Sequence, residues 1–305
     1  MCAIFGLVNY RHLISKKHLK TLINRLAVAS EVRGTDASGI AYVKNGKLVI
    51  YKRPLPAHKM HFSVPSDTTI VTGHTRFTTQ GSAELNFNNH PFMGKTEEGR
   101  FALCHNGILY NDEELAKTER LPETPIQTDS YVAVQLIEKQ RSLDFASIAR
   151  MSEKVRGTFV FTMLDDDNTL YISKGDNPIC LLHFKELGLY VYSSTPDIMR
   201  EALTGSFLEK YDFEEISVEE GDIIRIDRDG HLSRSNFVPR IGFGFQRCWN
   251  RIDSWYEEES DIPTDDLDLL YEIGYCDEDI EILTNDRELL QYCIEEARLM
   301  IYGYV

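Results

Sequence analysis

The sequence predicts an α+β fold, and three observations carry that prediction. Strand-like segments cluster with other strand-like segments, amphipathic helices fall in adjacent pairs, and no regular βαβ alternation runs through the chain. Residues 2–8, CAIFGLV, read as a short apolar strand. Ser15 caps a helix over 16–32 in which Leu19, Leu22, Ile23, Leu26 and Val32 keep a helical period, with Gly34 as its stop. Residues 40–53 make two strands around Asn45-Gly46, a dipeptide that supplies the positive φ angles of a tight hairpin turn. Further strands are expected at 69–74 and 101–105. Thr128 reads as the N-cap of a helix to Gln140 with Val132, Ala133, Leu136 and Ile137 on one face, and a second helix over about 145–155 is expected beside it. Short strands at 158–164, 170–174, 179–184 and 189–193 predict one antiparallel sheet, and 222–226 with 231–236 make a hairpin around Asp229-Gly230.

Charge divides the chain of 305 residues. The net charge is −15, which argues against nucleic acid or an anionic membrane as the main partner. From Arg251 to the end there are 17 acidic residues and 3 basic ones, whereas the first 250 residues hold 31 and 30. A near-neutral domain over 2–240 is therefore expected, followed by an acidic, mostly helical extension over 241–305. In that extension a Gly/Phe-rich stretch at 241–245 precedes Glu257-Glu258-Glu259, and apolar residues mark one face of 286–301. No apolar run approaches the ~20 residues that cross a bilayer. The N-terminus lacks the features of a signal peptide, so the cytoplasm is expected. Cys2, Cys104, Cys180, Cys248, Cys276 and Cys293 are widely spaced without a C-x-x-C, which points to thiols and to neither a zinc site nor a disulfide framework. No cofactor and no metal site is indicated.

Cys2 is the sharpest single feature. Removal of the initiator methionine leaves a cysteine with both a thiol and an α-amine, and an amine titrating near ~7.7–8 accepts a proton from sulfur without help from a histidine. Taken alone, a second-position cysteine on a strand is as readily a small hydrophobe.

Four further segments follow MCAIFG in order: RGTDASG at 33–39, GHTRFTTQG at 73–81, HNGILYN at 105–111 and QTDSY at 127–131. With them the chain resembles the class II glutamine amidotransferases, N-terminal-nucleophile glutaminase domains. It is most similar to the glutaminase pattern of glucosamine-6-phosphate synthase, with equivalents of RGxDSxG, HTRWATHG, NxHP, HNG and a TD at a helix start. The resemblance spans 2–236 and leaves the acidic extension outside. It implies a four-layer αββα sandwich of two antiparallel sheets between helical layers, and hydrolysis of L-glutamine through a thioester on Cys2.

Residue by residue, the resemblance assigns Cys2 as nucleophile, Asn106 and Gly107 as the oxyanion pair, Arg76 to the substrate carboxylate and Asp129 to its ammonium. These roles suit the residue types: a planar guanidinium fork fits a carboxylate, and preorganised donors stabilise a tetrahedral oxyanion. Read without the resemblance, the favoured readings are Arg76 as a surface ion-pair partner and Asp129 as a favourable charge in a first helical turn, and Asn106-Gly107 reads as a turn between strands. Arg33, Gly34 and Asp36 are implied to lie near the nucleophile, while Phe77 and Thr79 belong to a loop over bound glutamine. Phe77 and Gln80 replace a Trp and a His of the synthase pattern, which puts the acceptor in question and leaves bond cleavage untouched. His74, His90 and His105 are expected to support the pocket by packing. About 65 residues follow Pro239, too few for a sugar isomerase, phosphoribosyltransferase or ATP-dependent ligase, so released ammonia is expected to reach a separate synthase subunit or acceptor. An amidohydrolase acting on another γ-glutamyl amide and a non-catalytic glutamine-sensing module are the alternatives.

Overall fold

The computed structural model describes residues 2–239 together with Leu270, Leu290 and Ile294. Its first strand already requires cover on both faces: β1 (Ala3–Asn9) is buried at every position. Ser15 caps α1 (Lys16–Ala29) by accepting the His18 amide, and Leu19, Leu22, Ile23 and Leu26 are buried. The helix ends before the predicted Val32. The Ser30 hydroxyl donates to the Leu26 carbonyl, the chain tightens into a 3-10 turn at Ser30–Arg33, and Val32 is exposed. β2 (Ala37–Lys44) and β3 (Lys47–Arg53) form the expected hairpin, with Asn45 and Gly46 both at positive φ.

β4 (Ile70–Arg76), β5 (Phe92–Lys95) and β6 (Arg100–Leu109) come next, then α2 (Asp112–Thr118) and α3 (Tyr131–Gln140). Thr128 is not the N-cap of α3. That position belongs to Ser130, which makes no capping bond with its side chain, because its hydroxyl is engaged with His105 and Asp129. α4 (Phe145–Lys154) starts from a reciprocal capping box between Asp144 and Ser147. It is followed by β7 (Gly157–Asp165), β8 (Leu170–Lys174), β9 (Cys180–Phe184) and β10 (Leu189–Ser193). α5 (Pro196–Leu203) begins with Thr195 capping and Pro196 in the first turn, and β11 (Glu214–Glu215), β12 (Asp222–Ile226) and β13 (Leu232–Asn236) complete the described elements.

The strands segregate into two antiparallel sheets, ordered β11-β9-β10-β1-β4-β2-β3 and β13-β12-β8-β7-β6-β5. The four strands between 158 and 193, expected in one sheet, divide: β7 and β8 lie in the second sheet, β9 and β10 in the first. Between the sheets pack Ile4 and Val8 with Val160, Leu164, Ile172 and Ile224. The outer face of the first sheet is closed by Leu19, Leu22 and Leu26 of α1 and Met199 of α5. Val132, Leu136 and Ile137 of α3, with Ile148 and Met151 of α4, cover the second. The result is a four-layer αββα sandwich.

Contacts divide the chain into two units, Met1–Arg240 and Ile241–Val305. In the second, Leu270, Leu290 and Ile294 are helical and buried. The readings made on the rest of 241–305, the Gly/Phe-rich stretch and the 286–301 helix among them, lie outside the described residues. Among the described residues, no helix is long and apolar enough to cross a membrane.

Candidate active site

Cys2 immediately precedes a strand that pairs on both sides, with Ala3 opposite Thr75 of β4. This register sets Cys2 beside the end of β4, where its Sγ donates to the Phe77 carbonyl at 3.4 Å. The residue is partly exposed. Desolvation pushes its thiol pKa above the usual range, against a smaller opposing pull from the Arg76 guanidinium.

Asn106 and Gly107 do not form a turn. They lie inside β6, paired with Val160 and Phe159 of β7. Gly107 has φ +150°, and a Cβ there would sit 1.8 Å from the Thr158 carbonyl oxygen, so no other residue fits. The Asn106 side chain is fully buried. Its Oδ1 accepts from Arg33 Nη2 at 3.4 Å, its backbone carbonyl accepts from Asn177 Nδ2 at 3.0 Å, and its Nδ2 is buried without a hydrogen-bond partner among the described residues. Arg33 also donates from Nε to the Cys2 carbonyl at 2.8 Å, so one guanidinium spans Cys2 and the Asn106 carboxamide. Gly34 lets this turn press against β4: a Cβ on it would lie 2.4 Å from the Arg76 carbonyl carbon.

Arg76 is buried, donating from Nη1 to Asn89 Oδ1 at 2.7 Å and from Nη2 to the carbonyls of Gln80 and Gly81 at 2.7 and 3.0 Å. Burial lowers its pKa, and Cys2, Asp36 and Asp129 are the charges nearest in effect. Asp129 is also buried; its Oδ2 accepts from the Leu109 amide at 2.6 Å and its Oδ1 from the Ser130 hydroxyl at 3.2 Å. The loop over 77–81 is tied down by Asp36, whose carboxylate accepts from the Thr78 amide at 2.8 Å, and by Gln80 Nε2 donating to Asp112 Oδ2 at 3.3 Å. Phe77 and Thr79 are exposed on it.

The three histidines are buried. His74 donates from Nε2 to the His105 carbonyl at 2.9 Å, so its Nδ1 is unprotonated, and that atom has no partner among the described residues. His90 stacks between His74 and Phe92, with both ring nitrogens unpartnered among the described residues. Desolvation lowers the pKa of His74 to about 3 and that of His90 well below the ordinary value. His105 stacks on Phe161 and bonds to Ser130 Oγ at 2.8 Å. Among the described residues, Asp227, Asp229 and His231 lie within mutual ligand distance, but Asp227 Oδ1 accepts the amides of Asp229 and His231, as their hairpin turn requires.

The structure thus gathers Cys2, Arg33, Arg76, Asn106, Gly107 and Asp129 from separate segments. Sequence reasoning missed Asn89, Ser130, Asn177 and the Thr78 amide, none of which carries a periodicity or spacing signal of its own.

Residues 74–200 match the family described as glutamine amidotransferase domain. Glutamine–fructose-6-phosphate aminotransferase (isomerizing) of Staphylococcus aureus is 31% identical over 252 residues, which is 79% of this chain and 40% of that protein. The chain carries a class II glutamine amidotransferase domain. The Staphylococcus epidermidis protein of the same name matches the amidotransferase domain at 30% identity over 252 residues. The chain spans 40% of the length of these curated relatives. In fold, the amidotransferase domain is similar to glutamine phosphoribosylpyrophosphate amidotransferase from B. subtilis, with a TM-score of 0.59 at 19% identity over 78% of this chain and 49% of that one. A second structure, of the allosteric regulatory enzyme of purine biosynthesis, gives a TM-score of 0.61 at 19% identity over the same shares. This is the N-terminal-nucleophile hydrolase fold.

Proposed function

We propose that the domain hydrolyses L-glutamine to L-glutamate and ammonia, with Cys2 as nucleophile. The observation that carries this reading is the Asn106 carboxamide. Its Nδ2 is buried and unpartnered, a state that costs about 1–3 kcal/mol, and an oxygen developing charge beside Cys2 would satisfy it.

Removal of Met1 frees the Cys2 α-amine, which takes the thiol proton that desolvation otherwise holds on sulfur. The sulfur attacks the side-chain amide carbon of glutamine, and the resulting oxyanion is met by Asn106 Nδ2 and the Gly107 amide. The ammonium returns the proton to nitrogen as the C–N bond breaks, releasing ammonia and leaving a γ-glutamyl thioester. Water then attacks the thioester while the amine takes its proton, and that proton returns to the departing sulfur. Arg76 holds the α-carboxylate and Asp129 the α-ammonium, Arg33 keeps the Cys2 carbonyl and Asn106 in register, and Phe77 and Thr79 cover the occupied pocket. His74, His90 and His105 hold the floor. In this reading residues 2–240 form the glutaminase domain, 241–305 are an acidic extension, and the ammonia passes to a separate acceptor subunit in the cytoplasm.

The test is glutamate formation by purified protein alongside its intact mass. Cys2→Ala is expected to lower kcat at least about 10³-fold; full activity in this variant would overturn the proposal. Active enzyme that retains Met1 would exclude the amine as base.

A further inference from the structure

Arg76 meets its substrate only if its guanidinium plane is held at one angle, and the structure identifies what holds it. Asn89 is fully buried thirteen residues along the chain and accepts from Arg76 Nη1 at 2.7 Å. Its own Nδ2 is fastened by the Ala83 carbonyl at 2.7 Å and by Asn86 Oδ1 at 3.3 Å. Its backbone is fastened as well: Lys52 Nζ donates to the carbonyls of Asn89 and Pro91 and lies 5.1 Å from the centre of the Phe92 ring. Asn86 closes the circuit by donating from Nδ2 to the Lys52 carbonyl at 3.1 Å.

We infer that Asn89, clamped by Lys52, is the positioning residue that aims Arg76 at the carboxylate of an α-amino-acid substrate. This inference rests on the glutaminase reading above. A guanidinium has five N–H donors. Three bonds, from Nη1 to Asn89 and from Nη2 to Gln80 and Gly81, engage it among the described residues, which leaves Nε–H and one Nη1–H; these two diverge, so a carboxylate meets the guanidinium through a single hydrogen bond and its charge. The residue type matters as much as the place. An amide oxygen orients the guanidinium and leaves its charge intact, whereas a carboxylate at the same distance would form a buried ion pair and cancel the field that attracts the substrate anion. Lys52 adds a second, partly buried cation on the same side, and desolvation together with Arg76 lowers its pKa to about 8.

The experiment compares Asn89→Ala, the near-isosteric Asn89→Asp and Arg76→Ala with the unaltered chain, measuring kcat, KM for L-glutamine, and protection of Cys2 from iodoacetamide by L-glutamate. Asn89→Ala is expected to raise KM about tenfold with kcat within about threefold, as for loss of ground-state binding. Asn89→Asp is expected to raise KM further, because charge cancellation is added to misalignment. In both, the iodoacetamide rate without glutamate should be unchanged, while the glutamate concentration needed for half-protection rises in step with KM; a residue that merely holds the fold would alter both. If Arg76→Ala raises KM and neither Asn89 variant does, the positioning role is overturned. If Arg76→Ala leaves KM and protection unchanged, the reading of Arg76 itself falls. Should Asn89→Ala not accumulate as folded protein, Asn89→Asp decides the matter alone, since normal half-protection in it would contradict the inference.

Discussion

Two positions along the same pair of strands behave in opposite ways. On β4 and β6, Thr72 and Cys104 lie fully buried between the sheets. There the Tyr192 hydroxyl donates to Thr72 at 2.8 Å, Thr72 and Thr162 share a bond of 2.9 Å, and the Thr72 hydroxyl reaches Cys104 Sγ. Two residues further on, and so on the same faces of the strands, stand His74 and Asn106, equally buried, with Nδ1 and Nδ2 unpartnered. The first cluster joins the sheets and uses its hydrogen-bonding capacity internally. The second keeps some in reserve, which stability alone does not favour. One step of the pleat therefore separates scaffold from site.

The contrast breaks most readily at Asn106. Asn106→Ala is expected to lower kcat about 10²–10³-fold, equivalent to about 3–4 kcal/mol of barrier, with the melting temperature unchanged or slightly raised because an unsatisfied donor is gone. A large drop in melting temperature with normal kcat would place Asn106 in the scaffold.

Acidification probes the histidines next. Because the pKa values of His74 and His90 are lowered in the folded state, the unfolded chain binds more protons below pH ~6.5, so stability is full above that value and falls towards lower pH. Between pH 7.5 and 5.5 each imidazole is expected to remove about 1.4 kcal/mol, read as a shift in urea midpoint. His90→Phe should abolish its share, and a midpoint that is flat with pH would contradict the assignment.

The smallest effect belongs to the scaffold. Tyr192→Phe removes one bond from a network that keeps its Thr72–Thr162 contact. It should cost about 1 kcal/mol, or about 2–4 °C in melting temperature, and leave KM and kcat for glutamine as they were. A loss of activity would mean that scaffold and site are coupled more tightly than their geometry indicates.

What the sequence revealed follows the range of the interactions involved. α1 was legible because Leu19, Leu22, Ile23 and Leu26 repeat with the helix period, and the β2–β3 hairpin because Asn45-Gly46 is local turn chemistry. α5 was missed although Thr195, Pro196 and Asp197 carry a start signal, since only eight residues follow in which a period can develop. The assignment of β7 and β8 to one sheet and β9 and β10 to the other was illegible: alternation marks a strand but not its neighbours. At the site, the ordered motifs named Cys2, Arg76, Asn106, Gly107 and Asp129, yet Asn106-Gly107 also had the appearance of a turn. Only the pairing with Val160 and Phe159 sets them within a strand. Asn89 meets Arg76 through the path of the intervening loop, and no local pattern encodes that path.

β1 begins one residue after Cys2 and is zipped between β4 and β10, so Cys2 has no slack with which to move away from its neighbours. For anyone preparing this protein, the consequence is practical. An affinity tag fused ahead of Met1 would keep the Cys2 nitrogen acylated and so remove the base that the proposed mechanism requires. Recombinant material for every assay above should carry its tag elsewhere or have it cleaved to leave Cys2 first.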